Sequence, residues 1–401
     1  MIPRKNILFA QIKIIGSEQV IPSGWLFVEG NQIHSFGKGK PPLGILKKSV
    51  EILELPGLTL LPGFIDLHTH GALGYDFLNA TAEDILALTS FFASHGVTGF
   101  LASTYTESSQ KMEGAIHTIR SCMGFEKGSH ILGIHLEGPW LNPSRAGAQN
   151  RSQIRYADPA EVIPYLASGV IRLIALAPEI PENRWLIPEC RRRGITVAAG
   201  HTDATYEEIL QAIDLGVTQV THCFNAMSPL RTREPGVVGA ALTEPKLRCE
   251  LIADNIHVHP AVMKLLVNSK SAQGVILVTD SISAAGLEDG TYQFDGQRVT
   301  CSQGSARLED GTLAGSTITM EKALKNLINA SERPLDELWR CSSLNAAEAI
   351  HLEDHKGKIK AGYDADLVLL DSDLQVLLSM VAGNIVFGRP TQGERQGYPV
   401  I

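Results

Sequence analysis

The chain has 401 residues, 44% of them hydrophobic and 19% charged, which suits a globular protein with a large core and excludes a disordered one. A net charge of −8 leaves no basic footprint for nucleic acid or an anionic membrane, so an acidic ligand must be held by local positive groups. The six cysteines (Cys122, Cys190, Cys223, Cys249, Cys301 and Cys341) never fall in a C-x-x-C spacing, which argues against a zinc ribbon or redox pair and for reduced thiols in a cytoplasmic protein.

The N-terminal MIPRKNILFAQIKIIG alternates instead of forming a sustained apolar leader, and no later apolar run reaches the roughly 20 residues that span a bilayer. Residues 1–58 carry short alternating runs broken by Gly, Pro and Ser, the pattern of strands. From Thr59 a repeated unit begins, an apolar run of strand length followed by a helix-like segment. Eight such runs follow: LTLLPGFIDLH, GVTGFLAS, ILGIHLE, VIRLIALAP, ITVAAGH, VTQVTH, RCELIAD and GVILVTD. This places the chain in the α/β class and predicts a (β/α)8 TIM-type barrel over residues 59–355, with a doubly wound open sheet as the alternative. After the eighth run, TYQFDGQRVTCSQGSARLEDGTLAG reads as a hairpin insertion. Residues 356–401 return to strand-like alternation and are expected to join residues 1–58 in one small β-sandwich domain.

Polar residues close several of these runs. They are His68 and His70, His135 and Glu137, His201, His222, Asp254 and Asp280. In GFIDLHTHG the even positions Phe64, Asp66, His68 and His70 are expected on one face and the odd ones on the other. Taken singly, each has a structural reading: Asp280 could cap a helix, Glu137 could end a strand in a turn, and the histidines could sit satisfied in the core. Together they fall at the same end of successive strands, where a barrel places its active site. Imidazole nitrogens with carboxylate oxygens suit a divalent metal, zinc first and iron as the alternative. The run Arg191, Arg192, Arg193 before Gly194 is read as the basic last turn of a helix.

PGFIDLHTHG resembles the first-strand signature of the amidohydrolase superfamily. HLEGPWLNP, AAGHTDATYEE, THCFNAMSPLRTREPG, LIADNIHVHP, LVTDSISAAG and GTLAGSTITM are similar to its N-acetylglucosamine-6-phosphate deacetylase family. The likeness runs from Leu61 to Asp371 and implies metal-dependent hydrolysis of the acetamide of N-acetylglucosamine 6-phosphate, giving glucosamine 6-phosphate and acetate. It implies that Glu137, His201 and His222 hold the catalytic metal, that His68 and His70 offer a second position, and that Asp280 moves the proton, with one or two ions per subunit. Substrate contacts would fall on Ala148, Asn225, Ala226, Arg233, Asp254, Asn255, Ile256 and His257, and on the backbone of Leu313, Ala314 and Gly315. The partner implied is a small sugar phosphate, with no nucleic acid or membrane, in a homodimer or higher homo-oligomer. One position departs from the pattern. Twelve residues after Glu137 the family carries a histidine thought to polarise the acetyl carbonyl, and here Gln149 stands there, a donor that cannot be cationic. The competing readings are a related N-acyl amino-sugar-phosphate deacetylase, another amidase or deaminase of the superfamily, and a metal-free barrel kept as a binding module.

Overall fold

The structure, a computed structural model, describes residues 6–16, 18–48, 50–294 and 296–389. Eight parallel strands stand side by side in chain order: β1 (Phe64–Thr69), β2 (Val97–Thr104), β3 (His130–Glu137), β4 (Ile171–Leu176), β5 (Thr196–Ala199), β6 (Gln219–Val220), β7 (Arg248–Ile252) and β8 (Val275–Val278). A doubly wound sheet would reverse direction at a switch point, and this order never does. The expected TIM-type barrel is the observed fold.

The strands are apolar on both faces because each is covered twice. Ile65, Leu67, Leu101, Leu173, Ala198, Ile252, Ile276 and Val278 fill the barrel, while Leu136, Ile174, Val197, Leu251 and Leu277 pack outward under the helices. The helix Leu344–Ala349 plugs the end where the strands begin: Asn345 Nδ2 donates to the Val275 carbonyl at 2.6 Å. The mouth at the other end is left for polar side chains. Between β8 and β1 the cylinder closes without a regular ladder. There the Asp280 N–H donates to the His68 carbonyl and the His70 N–H to the Ser281 carbonyl, both at 2.7 Å.

The N- and C-terminal segments share one further eight-stranded sheet. Thr59–Pro62 joins them, antiparallel to Leu367–Leu370 and parallel to Asn6–Ile14. The run read as one strand, LTLLPGFIDLH, is therefore two, parted at Gly63, where a Cβ would meet the Thr98 side chain at 2.2 Å. Ile7, Phe9, Leu26, Val28, Leu60, Leu367, Leu369 and Met380 form a core of their own on this sheet, apart from the barrel's. The insertion after β8 is a four-stranded antiparallel sheet from Gly290 to Ser316. Arg192 and Arg193 end the helix Leu186–Arg192 and both pair with Glu189, as their structural reading required.

Candidate metal centre and substrate cavity

His68 of β1 and His70 just beyond it reach the mouth by a different route from the one the alternation predicted. Ile65 and Leu67 point into the barrel interior and Phe64 packs on the outer side. Asp66 turns to the closing seam, where it accepts from Thr279 Oγ1 at 2.5 Å and from the His68 N–H at 3.2 Å. The pairing with β2 slips between Asp66 and Thr69. A bulge inserts an extra residue and turns the side chains beyond it, and this one brings His68 and His70 together into the mouth.

Their Nε2 atoms lie 3.2 Å apart. Across from them, Glu137 ends β3 and places Oε1 at 3.1 Å from His201 Nε2 and 3.0 Å from His222 Nε2, while those two nitrogens are 3.1 Å apart. His70 Nε2 is 3.3 Å from Glu137 Oε2, and His68 Nε2 is 3.5 Å from Glu137 Oε1. Asp280 Oδ1, just beyond β8, stands 3.4 Å from His68 Nε2 and 3.3 Å from His70 Nε2. All six residues are buried.

These separations fit a cation. Ligand atoms about 2.0–2.1 Å from a tetrahedral zinc stand about 3.3 Å from each other. Two triads meet that spacing and share Glu137: His68 with His70, and His201 with His222. The tautomers fit as well. His201 Nδ1 lies 2.9 Å from the Arg145 carbonyl, which can only accept, and His68 Nδ1 lies 3.0 Å from the Glu250 carboxylate. Each ring therefore carries its proton on Nδ1 and turns the Nε2 lone pair to the shared centre, the arrangement that metal-binding imidazoles use.

Backbone strain accompanies the site. His201, His222, Ala226, Asn255 and Asp280 all have φ between +27° and +66°, a region costing non-glycine residues of order 1–3 kcal/mol each. Their neighbours hold them there. The Ser316 N–H donates to the Asp280 carbonyl at 2.8 Å, and a Cβ at Gly315 would meet that same oxygen at 2.9 Å, so the insertion sheet can approach only through a glycine.

The electrostatics follow from burial and pairing. Burial opposes charge on His70, but hydrogen bonds to Asp280 and Glu137 outweigh it and raise its pKa to about 9. Burial likewise opposes charge on Asp280, and His68 and His70 nonetheless hold its carboxyl below the usual range. Asp66 is pushed up to about 6 by burial, against its Thr279 hydrogen bonds. His135 lies directly beneath His68, their ring centroids 4.5 Å apart, and burial keeps its pKa well below normal, so it stays a neutral member of the floor.

A cavity of about 210 Å³ opens over this centre. Its walls take in most of the expected substrate contacts: Ala148, Gln149, Asn225, Ala226, His257, Leu313, Ala314 and Gly315, with Tyr105 and Ile282 added. His257 is fixed by Asp254, whose Oδ2 accepts from Nδ1 at 2.7 Å while Oδ1 accepts from the Ile256 and His257 N–H groups at 2.8 and 2.7 Å. Asp254, Asn255 and Ile256 thus shape the turn that presents His257, and do not themselves line the cavity. Arg233 is exposed on the loop before the helix Gly236–Thr243 and also lies outside the cavity wall. The ion pair on that loop joins Glu234 to Arg231, at 3.7 Å.

Glu250 went unnoticed in the sequence. It is fully buried on the inner face of β7, where Oε2 faces His68 Nδ1 at 3.0 Å and accepts from the His222 N–H at 3.2 Å, while Oε1 accepts from Gln219 Nε2 at 2.5 Å. One carboxylate thus braces a histidine of each triad. Its only signal was an acid in the middle of the apolar run RCELI.

Residues 59–386 match the family model described as Amidohydrolase family. The chain is 37% identical over 389 residues to the N-acetylglucosamine-6-phosphate deacetylase of Bacillus subtilis (strain 168), covering 96% of this chain and 98% of that one. Among solved structures, the N-acetylglucosamine-6-phosphate deacetylase of Thermotoga maritima superposes with a TM-score of 0.86 at 35% identity, covering 95% of this chain and all of that one. A variant of the Mycobacterium smegmatis deacetylase in complex with N-acetyl-D-glucosamine-6-phosphate gives a TM-score of 0.88 at 31% identity, covering 96% of this chain and 99% of that one. The chain is a member of the amidohydrolase family.

Proposed function

We propose that this chain is a metal-dependent hydrolase that removes the acetyl group of N-acetylglucosamine 6-phosphate, releasing acetate and glucosamine 6-phosphate. The observation that carries the reading is the pair of histidine triads sharing Glu137 on the floor of a cavity that Asp280 and His257 both face. The deacetylase relatives supply the substrate, and the chain matches them over nearly its whole length. Glu137, His201 and His222 would hold one divalent ion, with zinc the natural choice for nitrogen and carboxylate donors and iron the alternative. His68 and His70 would hold a second. When bound, such a cation supplies Lewis acidity, polarising an amide carbonyl and acidifying water towards neutral pH.

The chain's own groups do the rest. Asp280 faces the cavity beside the centre and, as the carboxylate, takes the proton of the attacking water as oxygen adds to the acyl carbon. It then returns that proton to the nitrogen as the C–N bond breaks, so the amine leaves neutral. Gln149 and the backbone of Ala148 border the acyl end, and Leu313, Ala314 and Gly315 border the sugar. His257, held in register by Asp254, meets the phosphate. Asn225 and Ala226 complete that end. The exposed position of Arg233 suits a phosphate contact given to a neighbouring subunit, in a homodimer or larger homo-oligomer.

We place the enzyme in the cytoplasm, where all six cysteines, buried and unpaired, would stay reduced. No helix among the described residues is long and apolar enough to cross a membrane. The test is product identification: proton NMR of the zinc-loaded protein with N-acetylglucosamine 6-phosphate should show acetate and glucosamine 6-phosphate in equal amounts. Absence of acetate, with release of phosphate or ammonia instead, would assign a different reaction.

A further inference from the structure

Gln149 is held at both ends of its amide. Its Oε1 accepts from the Thr106 N–H at 2.7 Å, and its Nε2 donates to Glu137 Oε2 at 2.6 Å. The backbone donor decides which end is oxygen, since a flipped amide would set N–H against N–H and oxygen against carboxylate. The neighbouring loop is fixed too: the Gln149 N–H donates to the Ala146 carbonyl at 3.0 Å, and Gln297 Nε2 donates to the Ala148 carbonyl at 3.0 Å.

Glu137, seen from Gln149, is asymmetric. Its Oε1 lies 3.0 and 3.1 Å from His222 and His201, whereas the second site is approached more loosely, His70 at 3.3 Å by Oε2 and His68 at 3.5 Å by Oε1. Oε2, the oxygen turned to His70, is the one that Gln149 already engages. A charge-assisted hydrogen bond occupies a lone-pair direction of that oxygen and draws charge from it, and it also fixes the carboxylate's rotation. Both effects favour the triad served by Oε1.

We propose that Gln149 is a positioning residue for Glu137 that ranks the two cation sites, making the Glu137–His201–His222 site tight and the His68–His70 site weak. This rests on the metal-dependent reading of the centre and deepens it. The ranking belongs to this chain because its glutamine, unlike a titrating side chain, keeps the same donor at every pH.

The test is zinc binding. Protein stripped with a chelator and titrated with Zn²⁺ against a colorimetric competitor should show one tight and one weaker equivalent. Gln149→Leu and Gln149→Met keep the bulk and remove the amide, and circular dichroism verifies that each is folded. Removing the amide restores Oε2 to the second site and loosens Oε1 at the first, so the ratio of the two affinities should shrink at least about tenfold, the usual scale for a partner of a metal ligand. If the native chain binds a single zinc, the variants should gain a measurable second. Equal sites in the native chain, or an unchanged ratio and stoichiometry in both variants, would overturn the proposal. So would equal weakening of both sites. The titration needs no turnover, so a native protein inactive on the sugar phosphate would overturn the assigned reaction and leave the ranking standing.

Discussion

Glu250 is the position where loss of one carboxylate should be felt most widely. It accepts from the His222 N–H and Gln219 Nε2 and faces His68 Nδ1, with no exposed surface. Glu250→Ala would strand three donors in a dry interior at about 1–3 kcal/mol each. Partial relaxation and an entering water would recover some of this, so the expected loss is at least about 3 kcal/mol. Glu250→Gln should be milder for a reason visible in the structure: Gln219 Oε1 is buried without a hydrogen-bond partner among the described residues, so a flip of Gln219 can receive the new amide N–H. The variant then keeps an acceptor for His68 and His222 but exchanges a charge-assisted bond for a neutral one, a difference of about 1 kcal/mol. Zinc affinity should fall about 10- to 100-fold as the brace on His68 weakens. Urea denaturation and chelator competition measure the two effects. An alanine variant within about 1 kcal/mol of the parent, with unchanged zinc affinity, would refute the claim that Glu250 organises the centre.

Other expectations rest on the same geometry. Asp280→Asn should keep zinc at the Glu137–His201–His222 site while kcat falls about 10²- to 10⁴-fold; turnover within tenfold of the parent would remove Asp280 from proton transfer. His257→Ala should raise KM for the phosphorylated sugar about 10- to 100-fold, the scale of one charged hydrogen bond, and leave whatever turnover of unphosphorylated N-acetylglucosamine the parent shows unchanged. Stripped of metal, the protein should lose stability as pH rises from about 6.5 to 9. His70 binds its proton more tightly folded, at a pKa of about 9, than unfolded, near 6.5, so its contribution is complete below the lower value and gone above the upper one. Stability of the stripped protein that rises through that window would contradict the pairing of His70 with Asp280 and Glu137.

The sequence displayed much of this protein and concealed a definite part. Eight apolar runs in chain order were enough for the barrel, because parallel strands covered on both faces read as continuous hydrophobic segments. Glu137, His201, His222 and Asp280 were visible because each closes such a run. The face assignments in GFIDLHTHG failed because a bulge breaks the period-two rule, and nothing in the residue order marks it. The break at Gly63 was hidden for a related reason: one apolar run serves two sheets, and only the contact with Thr98 shows where it turns. Glu250 was missed because an acid inside an apolar strand declares nothing until the facing imidazole is known. Asp254 was visible, but its task of setting His257 emerged only from the turn it braces.

The central claim is that a cation held by the shared triads makes acetate from N-acetylglucosamine 6-phosphate. Metal content measured by mass spectrometry alongside acetate release tests it directly. Activity should disappear when the protein is stripped and return in proportion to zinc restored, up to one or two equivalents per chain. Full acetate release from protein shown to be metal-free, or none from fully loaded protein, would contradict the account.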